Sequence, residues 1–192
     1  MAYIEIVGEV HAQGKLADLY KRFGNPDGTV DNVLRVHSLN PDSLEAHCAL
    51  YVQSMHRPSP VSRAEREIVG IVVSRVNGCD YCREHHAKGL ERLLPDDRRS
   101  VADEVRRGDW SSLTPRELAM AAYADRLTRE PGAMTRNDVD ALRDAGLSDR
   151  EVLDVAQAAA YFAYANRIVL GLGAEFEGDD VIGQWPERAN SD

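Results

Sequence analysis

The chain has 192 residues, 43% of them hydrophobic and 29% charged, with a formal net charge of −9. That length suits a single domain, and the composition is that of a globular protein. The acidic balance works against nucleic-acid backbones and anionic membranes as partners, and no apolar run approaches the ~20 residues that span a bilayer.

The opening residues, MAYIEIVGEV, hold Glu5 and Glu9 and no basic cluster, so no secretory signal is expected there. Three cysteines form no disulfide framework, which points to a reducing, cytoplasmic setting. Short alternation in YIEIV suggests an extended arm or an edge strand. A helix is expected near 12–23. Asn40 followed by Pro41 reads as a helix cap with proline at the first helical position. Leu44, His47, Cys48, Tyr51 and Met55 then recur at helical spacing, giving an amphipathic helix over 41–56. Cys48 and His47 lie on its apolar stripe, where Cys48 reads as a small buried hydrophobe.

Ser62 with Glu65 fits a capping box, and so do Thr114 with Glu117 and Ser148 with Glu151. After Ser62 the run EIVGIVVSRV is apolar nearly all round, as in a helix at the centre of a fold. Further helices are expected near 79–94, 97–107, 115–129, 136–145 and 149–172, with turns at HRPSP, RGDWSS and TREPGAM. The Arg98–Arg99 and Arg106–Arg107 pairs read as a solvated face. The expected fold is all-α and single-domain: an N-terminal arm and helix to about 30, one half over 31–94, a second over 112–173, and an irregular tail over 174–192. An offset of 84 residues relates the halves weakly. It lays Glu67 on Glu151 and Arg83 on Arg167, but Cys79, Cys82 and His86 on Ala163, Asn166 and Leu170.

The stretch NGCDYCREHHAKGL, residues 77–90, concentrates the chemistry. Asn77 and Gly78 break the buried helix, so the next begins near Cys79. At about 100° per residue, Cys79, Cys82, His86, Leu90 and Leu93 share one arc, opposite Asp80, Glu84, Lys88 and Glu91. His85 points away from that arc, and Tyr81 reads as a packing or rim residue. If the chain folds back at 77–78, Glu67 and His86 stand roughly 15 and 12 Å from the turn, level with one another on neighbouring helices. An imidazole there can take a proton from Cys82, with a carboxylate supporting it, and the helix start beside Cys79 favours a thiolate. The C-x-x-C spacing lets a sulfenic acid on one sulfur condense with the other. A zinc module built on Cys79, Cys82 and His86 is the competing reading; it needs a fourth ligand, for which Glu67 would be unusual.

Glu67, eleven residues, C-x-x-C, three residues and His86 together form a signature. In it the chain resembles the alkyl hydroperoxidase D (AhpD)-like, carboxymuconolactone decarboxylase-related superfamily. The stretches RVHSLNP, SRAERE and AYFAYANRIVLGLG resemble its uncharacterised peroxidase-related branch, over roughly residues 3–178. The resemblance implies an AhpD-like helical fold, homo-oligomers, and reduction of peroxides by the cysteine pair; the apolar surroundings of the site suit organic hydroperoxides, and no cofactor is expected. It implies Cys82 as the peroxidatic cysteine, Cys79 as the resolving one, and His86 with Glu67 as a proton relay. The implied electron donor is a thioredoxin-like protein, a lipoyl-bearing partner or a small thiol. A disulfide oxidoreductase without peroxidase activity is the nearest variant. Well-studied members carry a histidine between the cysteines where this chain has Tyr81, and a phenol is a poor base near neutrality. Decarboxylating relatives generally lack the cysteine pair. Asn166 and Arg167 match the family's second-half pattern, for which a structural or interface role is expected.

Overall fold

The computed structural model describes residues 2–177, in which nine α-helices and no strand are found. They are α1 (Gly14–Phe23), α2 (Asn32–Arg35), α3 (Pro41–Tyr51), α4 (Arg63–Val76), α5 (Asp80–Leu93), α6 (Ser100–Arg107), α7 (Pro115–Arg129), α8 (Arg136–Asp144) and α9 (Asp149–Leu172). The expected all-α fold is therefore the observed one. YIEIV is an extended arm: Tyr3 N–H donates to the Leu172 carbonyl at 2.9 Å, laying the arm on the end of α9. The helix expected over 41–56 is continuous, but its last turn, Val52–His56, is π-helical. The irregular tail is seen as far as Glu177, and its remainder lies outside the described residues.

Local chemistry sets the helix starts. Asn40 accepts from the Ser43 amide at the head of α3, with Pro41 behind it. Ser62 and Glu65 close a reciprocal capping box on α4, and Thr114/Glu117, Thr135/Asp138 and Ser148/Glu151 do so on α7, α8 and α9. Each satisfies amides that the first helical turn leaves unpaired. Arg116 of α7 then joins two of these boxes, its guanidinium lying 2.7 Å from Glu65 and 2.7 Å from Glu151. The starts of α4 and α9 are thus pinned together.

α4 is the central helix. Residues Arg66 to Ser74 are all buried, and α5, α6, α7 and α9 pack around them. Burial of Ile68, Val69, Ile71, Val72 and Val73, at roughly 1.5–3 kcal/mol for each such side chain, is what holds this β-branched run in a helix. α9 approaches closely because Gly70 leaves room for the Phe162 ring; a Cβ at position 70 would stand 2.3 Å from it. α4 and α9 open on the same capping chemistry, yet α9 runs unbroken for 24 residues where the first half turns from α4 into α5.

Candidate active site

The turn between α4 and α5 builds the site. Gly78 takes a left-handed conformation, φ +68°, and donates to the Arg75 carbonyl at 3.1 Å, while Cys79 N–H donates to the Ser74 carbonyl at 2.8 Å. This pair of bonds is a Schellman termination, which glycine adopts without steric cost. The same geometry makes Cys79 the N-cap of α5, so α4 ends and the thiol-bearing helix begins within three residues.

Folded back in this way, the hairpin brings Glu67 to His86. Glu67 is fully buried, and its Oε2 lies 2.5 Å from His86 Nδ1. Arg63 Nε donates to the other carboxylate oxygen at 2.8 Å. Burial works to raise the Glu67 pKa, but His86 and Arg63 outweigh it and hold the group below its ordinary value. An ionised carboxylate only accepts, so His86 Nδ1 carries the hydrogen and Nε2 is left to take a proton. Phe162 stands edge-on to the His86 ring, centroids 4.5 Å apart at 89°, and fixes its plane. Arg63 also donates to His56 Nδ1 at 2.9 Å, extending the network to the π-helical turn. Burial and the facing Arg63 push His56 down to about 4, so it stays neutral and able to accept.

Cys79 and Cys82 are free thiols, 0% and 4% exposed, packed with Val33, Tyr81 and Val169. Cys82 lies one helical turn before His86. The Cys79 pKa is lowered, first because the Cys82 thiol donates to it and also through the Cys82 amide. Cys82 is raised well above the ordinary thiol value because it keeps that proton, and burial adds to the rise. Asn166 of α9 assists both sulfurs, lowering each. Fully buried, it is fixed by donating to Ser74 Oγ at 3.1 Å and accepting from Asn77 at 3.0 Å.

Several details differ from the sequence reading. Leu93 is 45% exposed; Leu90 and Leu94 carry the apolar face instead. His85 does leave the cysteine arc, but into a second buried contact, with its Nε2 3.2 Å from Glu177 Oε2. Tyr81 is buried, stacks on His85 and donates to Glu177 at 2.6 Å. Arg98 is no free surface charge, since it grips Glu117 through both terminal nitrogens at 3.1 and 2.8 Å. Cys48 is the inert buried thiol expected, pushed up to about 12 by burial. Among the described residues no group of three or more His, Cys, Asp or Glu side chains is placed to hold a metal ion. Arg63 stands one turn before Glu67 and could have been found from helical spacing. Glu177 could not, because nothing local ties it to α5.

Fold and site together define an all-helical protein with a buried dithiol beside a carboxylate–imidazole pair. Residues 41–126 match the carboxymuconolactone decarboxylase family model. Among solved structures, the chain is similar to an uncharacterised peroxidase-related protein from Silicibacter sp. TM1040, at 27% identity and TM-score 0.73, covering 82% of this chain and 81% of that one. An uncharacterised peroxidase-related protein from Ralstonia eutropha JMP134, with an AhpD core, is similar at 24% identity and TM-score 0.83, covering 96% and 97%. The debrominase Bmp8 shares the fold at 17% identity and TM-score 0.73, over 92% of both chains. No curated protein sequence matches. The chain thus carries a carboxymuconolactone decarboxylase-type segment on an AhpD-like helical fold.

Proposed function

We propose that this protein is a thiol-dependent peroxidase that reduces organic hydroperoxides. The supporting observation is the Glu67–His86 hydrogen bond across α4 and α5, one turn from Cys82, with Cys79 at the helix start. In this reading His86 Nε2 takes the Cys82 proton, and Glu67, already ionised, stabilises the imidazolium that forms. The Cys82 thiolate attacks the terminal peroxide oxygen. The O–O bond breaks, Cys82 becomes a sulfenic acid, and the alkoxide leaves as an alcohol with the proton from His86. Cys79 then attacks the Cys82 sulfur and its proton passes to the departing hydroxide, forming the disulfide and releasing water. An external dithiol restores both thiols. Cys82 stands one helical turn from His86 and Cys79 at the start of α5, which supports attack by the first and resolution by the second.

Reduced protein is expected to consume cumene hydroperoxide catalytically with a dithiol donor. Cys82→Ser abolishes consumption, and Cys79→Ser allows one turnover only. Undiminished turnover in Cys82→Ser defeats the proposal. Reduction of a disulfide substrate without peroxide consumption assigns the site to disulfide exchange instead.

A further inference from the structure

Both thiols are almost wholly covered, in a small cluster with Val33, Tyr81 and Val169. Leu34 of α2 and Ala174, on the strap that follows α9, pack against that cluster. The strap begins where Gly173 ends α9 in a left-handed conformation, φ +67°. Its bonds among the described residues include Ala174 N–H to the Val169 carbonyl at 3.0 Å and the Asn32 side-chain amide to the Glu175 carbonyl at 2.9 Å.

Glu177 does most of the fastening. Its Oε1 accepts from Tyr81 Oη at 2.6 Å and from the backbone N–H of Asn32, and its Oε2 faces His85 Nε2 at 3.2 Å. One carboxylate therefore joins three pieces: the strap that carries it, the first residue of α2, and two neighbouring side chains of α5. Tyr81 in turn accepts from Val33 N–H at 3.3 Å, and Phe176 lies parallel to the His85 ring, 4° apart in plane. Burial acts to raise the Glu177 pKa, but His85, Tyr81 and the Asn32 amide hold it below the ordinary carboxylate value, so the fastening is charged at neutral pH.

On the outer side of this cover lies a groove of about 740 Å³, bounded by Tyr3 and Ile4 of the arm, Asn32 and Arg35, and Glu175 and Phe176 of the strap. Ala174 lines the groove and also touches the thiol cluster. The groove and the thiol cluster thus share Ala174 as a common neighbour.

We propose that Glu177 is a specificity-determining latch: it holds the 174–177 strap and α2 closed over the dithiol, so that molecules reach Cys82 from the groove only as this contact gives way, and bulky ones are excluded while it holds. The proposal rests on the reading that Cys82 is the group to be reached, not on peroxide turnover.

Thiol labelling of the reduced, full-length protein tests it. Iodoacetamide and fluorescein-5-maleimide serve as small and bulky probes, and modification of Cys82 is followed by peptide mass spectrometry. The ratio of the two rates, each relative to wild type, cancels any change in thiolate fraction. Loss of a charge-assisted hydrogen bond shifts an opening equilibrium by about tenfold or more. Glu177→Gln is therefore expected to speed bulky labelling of Cys82 about tenfold, with a smaller gain for iodoacetamide. Tyr81→Phe, which removes one hydroxyl, should move the ratio the same way and covers the case in which Glu177→Gln does not fold. An unchanged ratio in the folded variants overturns the latch, as does equal acceleration of both probes with a lowered melting temperature. Because labelling needs no peroxide, an inactive enzyme with a size-dependent response refutes only the peroxidase reading, and an active one with an unchanged ratio refutes only the latch.

Discussion

Two adjacent histidines of α5 each meet a carboxylate, Glu67 fully buried and Glu177 partly so, and the two pairs are made from opposite kinds of chain. His86 meets Glu67, nineteen residues away, across one hairpin whose helices are locked by a Schellman turn. His85 meets Glu177, which arrives on a short strap after the last helix. The first contact forms with the hairpin itself and opens only if the core opens. The second depends on a segment outside the helical core, beyond the Gly173 end of α9. Similar groups, placed on parts of different rigidity, suit proton transfer in one case and access in the other. His37 and His47 provide the contrast to both: their rings lie 4.7 Å apart with no carboxylate partner among the described residues, and burial, with His37 adding, pushes His47 down to about 3.

The largest expected effect is on the inner pair. Glu67→Gln keeps the shape of the side chain but not its charge, so peroxide consumption should fall about 10²–10⁴-fold, the range for a proton-transfer group. Steady-state assays on protein of unchanged far-UV circular dichroism check this, and wild-type turnover would make the pair structural. The His37–His47 pair comes next. The unfolded chain takes up a proton near 6.5, while folded His47 resists it to about 3. Stability is therefore full above pH 6.5 and is lost as pH falls through that window, at about 1.4 kcal/mol per pH unit of depression as an upper bound. Urea titrations at a series of pH values should show the loss, and His47→Gln should flatten it.

A smaller effect is expected at Gly70. An added methyl displaces Phe162 and with it the support of His86, costing about 1–3 kcal/mol of stability and some turnover. Full turnover in a destabilised Gly70→Ala protein would show that the imidazole does not need the ring. The smallest is Ser62→Ala, which removes half of the α4 capping box for about 1 kcal/mol and should leave the Glu67–His86 contact intact. Thermal melts paired with activity distinguish the two sites.

The inner pair was legible in the sequence because everything that builds it is local. Capping residues fix the helix starts, Asn77–Gly78 marks the turn, and helical rise levels Glu67 with His86. Other parts were not legible, for equally physical reasons. α2 is one turn long and too short to show a period. The π-helical turn leaves the same apolar pattern as an α-helix. Glu177 reaches Tyr81 from 96 residues away, with no periodicity linking them. Tyr81 looked peripheral because its partner came from that remote segment. Leu93 fell on the apolar arc of an ideal wheel, but so close to the helix end the structure leaves it in solvent.

The Gly78 junction gives the hairpin a reading frame. One extra residue inserted beside Gly78 would turn α5 by about 100° and advance it by about 1.5 Å, carrying sulfurs and imidazole off the facing helix together. Substitutions there are survivable in principle, whereas a change in length would abolish the alignment at a stroke. The interval between Glu67 and Cys79 is thus a mechanical dimension, as fixed for this protein as the pitch of a screw.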